Sequence, residues 1–451
     1  MLAKSYFQRT THSAPLATYR IAIGLMLFIS ISRFMLKGWV AELYIKPHYF
    51  FSFYGFEFIK PLGNYTYILF AVCGISSLLV AIGLFYRVSS VLLFCSFTYI
   101  ELMDKSTYLN HYYFMSLVLF IMMFLPAQRY FSLDVIRNPY LLADQIPAWT
   151  VDLLKLLALI LYFYAGLAKI NSDWLLKALP LKIWLPSKND LPLIGNLLNY
   201  PVTAFIFSWF GCVYDLTIAF FLWNKQTRLW AYFTVIIFHL TTTILFPIGM
   251  FPYVMIVAAL IFFSPSFHLK IINVLRKVLR LEKQTALTNV TFTYQPAKQR
   301  FLLGLFTLFL TVQLLLPFRY LLYPGTLFWT EQGYRFSWRV MLMEKAGYAQ
   351  FTIKDKNGKF AIANNNEFLT VLQEKMMSTQ PDMILQYAHM LKKYYIKQGF
   401  VSPQVYVDSY VALNGRTGQV LINPKVDLAK QEESFLPKSW ILPLNDEIKG
   451  F

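Results

Sequence analysis

Charge is scarce in this sequence. Only 14% of its 451 residues are Asp, Glu, Lys or Arg, against about 25% in an ordinary soluble domain, so a solvated or disordered chain is excluded. Cysteine is scarcer: Cys73, Cys95 and Cys212 all fall inside apolar runs, and the region after residue 317 has none, so it folds without disulfides. The six histidines are scattered, and no Cys/His cluster has zinc spacing, so no metal is expected. Also missing are a Gly-rich phosphate loop, a GxSxG elbow and an HExxH helix, which removes the familiar soluble-enzyme chemistries. No internal repeat or low-complexity tract is present.

What fills the sequence is apolar. Hydrophobic residues make up 57% and aromatics 18%, and the mean hydropathy is +0.48. A membrane span needs about 20 mostly apolar residues. Candidates fall at 14–36, 65–85, 88–103, 110–128, 153–171, 202–223, 229–246, 249–264 and 301–317. The pattern predicts an all-α polytopic membrane bundle of about nine spans over residues 1–317. The run LFPIGMFPYVM is interrupted by Pro247, Gly249 and Pro252, and broken helices at membrane depth line protein-enclosed cavities. The opening MLAKSYFQRTTHSAPLA is polar, so the first apolar run reads as an uncleaved anchor, with Arg20 and Arg33 anchoring its two ends.

The net charge of +18 does not point to nucleic acid, because the basic residues sit in short loops between apolar runs. One side of the bundle collects Lys4, Arg9, Arg87, Arg129, Arg137, Lys225, Arg228 and a basic run from Lys270 through Lys283 to Arg300. The other collects Lys37, Lys46, Lys60, Lys105, Lys177, Lys182 and Lys188. The imbalance predicts a cytoplasmic N-terminus and, with nine spans, an extracytoplasmic C-terminal domain.

That domain, 318–451, reads as small and α+β. AQFTIKDKNGKFAIA predicts a hairpin with Asn357-Gly358 supplying positive φ angles. Ile384, Leu385, Ala388, Leu391 and Tyr395 recur at helical spacing from Pro381 to a stop near Gly399. QVYVDSYVALNGRTGQVLI reads as two strands joined by a Gly-containing turn.

Ionisable residues in or beside apolar spans are costly in hydrocarbon and mark functional sites. Asp104, Lys105, His111, Lys169, Asp173, Trp174 and His239 all fall toward the outer half of the predicted bundle, and Asp215 lies mid-span. Plain alternatives exist: Lys169 snorkelling at a helix end, His111 in an aromatic belt, and His239 with Thr241, Thr242 and Thr243 in an interhelical hydrogen-bond cluster. Asp215, a mid-span carboxylate, needs a partner or a proton and reads as functional or as half of a buried pair. Alone, these residues define a polar cavity in a membrane protein.

The run LYFYAGLAKINSDWLLKALPLKIWL adds specificity. It resembles the vitamin K-dependent γ-glutamyl carboxylases, whose membrane domain carries Ala-Gly-x-x-Lys-x-x-x-Asp-Trp, here Ala165, Gly166, Lys169, Asp173 and Trp174. GLFYRVSS, MDKSTYLNHYYF, FSLD, YDLTIAFFL, FHLTTTILFPIGMFPYVM, GYRFSWRVML and SPQVYVDSYVALNGRTGQVLINPKVDL match in the same order, so the likeness spans most of the chain. It implies Lys169 as the base that deprotonates vitamin K hydroquinone or a related menaquinol, and His111 as the histidine of the carboxylation half-reaction. Lys182 falls where the family has a basic residue near the substrate glutamate, and Asp104, Asp173, Trp174, Asp215 and His239 match family positions that form or orient the pocket. It implies O2 and CO2 as co-substrates, a glutamate-containing peptide or protein as partner, and the lipid bilayer as the quinol's source. Lys169 must be uncharged to begin, and a dry site favours that form. The chain is much shorter than the animal enzymes after its last span and has Phe85 where they have a cysteine. That shortening favours a bacterial cytoplasmic membrane over the endoplasmic reticulum. Two other classes remain open: a quinol epoxidase without carboxylation, and a transporter or binding protein on the same bundle.

Overall fold

A computed structural model describes residues 6–281 and 290–451. Lys4 and Lys283, two of the charges counted above, lie outside the described residues. Each apolar stretch is helical: α1 Ala14–Leu36, α2 Thr66–Ile82, α3 Tyr86–Leu102, α4 Asn110–Phe124, α5 Trp149–Leu167, α6 Pro201–Trp223, α7 Arg228–Leu245, α8 Phe251–Ala259, α9 Pro265–Val278 and α10 Pro296–Leu315.

Six helices among the described residues are long and apolar enough to cross a membrane, seven if the α8–α9 pair counts as one. This is fewer than the nine expected, and length is the reason. α3 has 17 residues and α4 has 15, about 25 and 22 Å at the helical rise, short of a hydrocarbon core about 30 Å thick. α8 turns through 116° into α9, because Ser264 precedes Pro265 and is held extended at ψ 155°, where a helix cannot continue.

Arg20 corrects its expected role as an anchor. It is fully buried and donates to the carbonyls of Val80, Ala81 and Phe131 at 2.9, 2.8 and 2.6 Å. It thus caps the orphan carbonyls at the end of α2. Gly83, at φ +67°, ends that helix, and a Cβ there would lie 2.3 Å from Arg20 Nη1.

After the bundle come β1 Lys345–Lys354, β2 Phe360–Ile362, α11 Val371–Met377, α12 Pro381–Lys397, β3 Gln404–Leu413 and β4 Gln419–Val420. The sheet is antiparallel in the order β2-β1-β3-β4, with Tyr348 opposite Tyr410. The expected hairpin forms, but its turn is wider than two residues. Only Gly358 has positive φ, at +80°, and Asp355 accepts from the amides of Asn357 and Lys359 at 2.8 Å each. α12 buries Ile384, Leu385, Ala388 and Leu391 completely, as its spacing predicts. Their apolar cluster is continuous with Trp174, Leu181 and Phe246 of the bundle. The sheet domain therefore packs directly on one end of the helices.

Candidate functional site

Close packing of α5 on α6 starts the site. A Cβ on Gly166 would lie 2.6 Å from the Leu216 amide nitrogen, so glycine lets the two backbones approach as small residues do between membrane helices. That contact sets Lys169, just past α5, against Asp215 on α6. Lys169 Nζ lies 2.7 Å from Asp215 Oδ2 and donates to the Ala165 carbonyl at 3.0 Å. It also stands 5.3 Å from the centre of the Trp174 ring. Both members of the pair are buried. Asp215, which as a mid-span carboxylate needs a partner or a proton, thus has Lys169 as its partner.

The pocket around this pair, about 80 Å³, is lined by Leu161, Tyr162, Ala165, Trp174, Leu181, Phe207, Phe238, His239, Phe246 and Phe251, among others. Trp174 is fixed by its indole N–H to the Ser208 carbonyl at 2.8 Å, and the Ser208 hydroxyl donates back to the Trp174 carbonyl. His239 is buried on α7 with its Nε2 3.2 Å from the Tyr162 hydroxyl, while Nδ1 has no partner among the described residues. The expected threonine cluster is local: Thr242 and Thr243 donate to the His239 carbonyl of their own helix.

His111 lines a second cavity of about 480 Å³ with Asn110, Tyr108, Arg33, Lys105 and Arg335. The two spaces share Ile248, Phe251, Val340 and Met341 as a common wall. Phe251 sits between the histidines, its ring centre 5.9 Å from His111 and 5.7 Å from His239.

Three candidate residues do not face either space. Asp104 accepts from Gln373 Nε2 at 2.8 Å and from the Ser106 amide at 2.9 Å. Asp173 is held by both Arg416 Nη atoms at 2.6 and 2.7 Å and by Asn414 at 2.9 Å. Both fasten the sheet domain to the bundle. Lys182 is half-buried, its Nζ 4.3 Å over the Phe205 ring. It contributes no surface to the pocket, although its neighbour Leu181 does.

A third tie joins the same two parts. Lys105 Nζ lies 2.9 Å and Arg335 Nη1 2.7 Å from Asp382 Oδ2. Burial alone would raise the Asp382 carboxyl, but Arg335 and Lys105 outweigh it and hold the group well below the usual carboxylate range. On Lys345 burial dominates and lowers the ammonium, with Glu331 at 2.7 Å opposing it.

Sequence reasoning does not pick out Tyr162, Phe251, Val340 and Met341. The last two come from beyond residue 317, in the GYRFSWRVML stretch, and return to line the membrane-side spaces. Among the described residues no group of three or more His, Cys, Asp or Glu is placed to hold a metal ion.

Residues 8–267 match the HTTM domain. Residues 298–447 match the lumenal domain of vitamin K-dependent gamma-carboxylase. No solved structure matches the chain. With the two matches together taking in residues 8–267 and 298–447, the chain belongs to the vitamin K-dependent gamma-carboxylase family.

Proposed function

We propose that this protein is a membrane-embedded γ-glutamyl carboxylase that couples oxidation of vitamin K hydroquinone, or a related menaquinol, by O2 to CO2 addition on glutamate. One observation carries the reading: a buried lysine–aspartate pair opens onto an apolar pocket that shares a wall with the cavity of a buried histidine. The pocket's chemistry fits a reduced naphthoquinone, since aromatic and aliphatic side chains suit its ring system and one amine faces its hydroxyl. Bound there, the quinol supplies the reducing equivalents and, by reacting with O2, a base stronger than any side chain.

The protein's part is placement and proton handling. Lys169 Nζ takes the hydroxyl proton. Asp215 Oδ2, at 2.7 Å, lets the pair pass that proton between nitrogen and oxygen without a separate ion being stranded in low dielectric. Trp174 holds the amine from below, and Tyr162 and His239 close the far side. Apolar walls keep water from the reacting groups. His111, across Phe251, serves carboxylation of the glutamyl side chain. Asp104 and Asp173 orient the domain above rather than touch the quinol. We place the N-terminus in the cytoplasm and residues 318–451 outside, with α3 and α4 also within the bilayer.

A second reading, quinol epoxidation alone, draws support from the Phe251 wall that separates His111 from Lys169. Purified protein in lipid nanodiscs, supplied with reduced vitamin K, a glutamyl peptide and labelled bicarbonate, separates the outcomes. Epoxide with labelled peptide supports the first reading and epoxide without label the second. Neither product, with quinol bound, would leave only a binding protein.

A further inference from the structure

A line of hydrogen bonds runs from the Lys169 turn to the start of the His111 helix through Phe451, Arg339 and Asn110. The Phe451 N–H donates to the carbonyl of Ile170, next to Lys169, at 2.8 Å. Arg339 Nη1 donates to the Phe451 carbonyl at 3.1 Å. Asn110 Nδ2, one residue before His111, donates to the Arg339 carbonyl at 3.0 Å. Val340 and Met341, which follow Arg339, form part of the wall between the two spaces.

The line is built tightly. The Ser172 amide donates to the Lys449 carbonyl at 2.7 Å, and the Lys449 amide donates to Ser172 Oγ at 3.0 Å. Gly450 has φ +120°, and a Cβ there would lie 2.4 Å from the Ile170 oxygen. The Phe451 ring meets Phe318 and Tyr320 edge-on. The Arg339 guanidinium stands 5.1 Å from the Phe451 ring centre and 4.7 Å from that of Tyr320. Arg339 is 1% exposed, and its Nε and Nη2 have no partner among the described residues. Rings recover part of the desolvation of such a cation, but an apolar side chain would fill the space at less cost. Arg339 also lines the second cavity, and packing alone gives no reason for an arginine there.

We propose that Arg339 and Phe451 form a strap that couples the two spaces. By holding the Lys169 turn and the His111 helix in one register, it makes proton removal at Lys169 and carboxylation beside His111 proceed in a fixed ratio. Arg339, Gly450 and Phe451 are positioning residues in this scheme, which rests on the function proposed above.

The test uses the full chain in nanodiscs and reads the ratio of epoxide formed to CO2 fixed. Arg339→Met and Phe451→Ala are expected to raise that ratio about tenfold, the scale on which small misplacements act, while the KM for quinol is unchanged. Arg339→Lys, which keeps a donor, is expected to recover most of the coupling. A second readout needs no quinol: Lys169 in ligand-free Phe451→Ala should react about tenfold faster with a small acylating reagent, followed by mass spectrometry. Should Arg339→Met fail to fold, Gly450→Val decides, since a Cβ there would lie 2.4 Å from the Ile170 oxygen and push Phe451 off the Lys169 turn. An unchanged ratio in Gly450→Val, with an unchanged labelling rate in Phe451→Ala, overturns the strap while leaving the proposed function in place. Normal epoxide formation by Lys169→Ala would instead remove the function on which the strap rests.

Discussion

Two regions of the molecule bury opposite charges against each other, and they do so differently. At the seam between bundle and sheet domain three acids are each held by several donors: Asp173 has Arg416 and Asn414, Asp382 has Lys105 and Arg335, and Asp104 has Gln373 and two backbone amides. In the pocket Lys169 and Asp215 have each other and the Ala165 carbonyl, and the space they face is mostly apolar, with Tyr162 and His239 on its wall. An acid whose oxygens are already taken up by several donors has none left for a ligand and serves as a fastener. A pair with an open side in a dry pocket is poised to exchange a proton with a bound molecule. Burial of charge alone therefore does not identify a site; an open side facing a cavity does.

Substitutions can break this contrast. Lys169→Ala should have the largest effect, lowering epoxide formation about 10³-fold, with partial rescue by small amines in the assay. His111→Ala should lower labelled CO2 incorporation about 10²-fold while epoxide formation changes less. A seam residue should behave otherwise. Asp382→Asn should cost about 3 kcal/mol of stability at pH 7 by leaving Lys105 and Arg335 short of a partner, with epoxide turnover per folded molecule unchanged. Because the native Asp382 carboxyl is held below its unfolded value, its contribution is full above about pH 4 and is lost as pH falls below that. Thermal unfolding of wild type and variant should therefore converge in acid. Lys182→Ala should be the mildest, within about twofold of wild type for both products, since its Nζ rests on Phe205 away from the pocket. A larger drop for Lys182→Ala would mean that it does reach the peptide substrate.

Much of the architecture is legible in the sequence. Long apolar runs predict the helices, the Ile384–Leu391 spacing predicts α12, and alternation predicts β1 and β3, because each pattern repeats along the chain itself. Span count is less legible. Hydropathy marks apolar stretches but not where a helix stops, and α3 and α4 stop short. Asp104 and Asp173 stand out for being acidic beside a span, and nothing local can say that Arg416, more than 200 positions away, claims Asp173. Lys169 and Asp215 both stand out in the sequence, yet only the Gly166–Leu216 contact makes them a pair.

By itself the sequence determined that this is a membrane bundle with an α+β appendage, because composition and periodicity are properties of neighbouring residues and water. It also supplied the chemical groups, Lys169, Asp215, His111 and His239. Tertiary structure alone decided which of those groups share a space, that Phe251, Val340 and Met341 divide it, and that Phe451 returns to the turn beside Lys169. Those outcomes depend on helix crossing and domain docking, in which residues far apart in sequence compete for the same partners, and no local pattern records who wins.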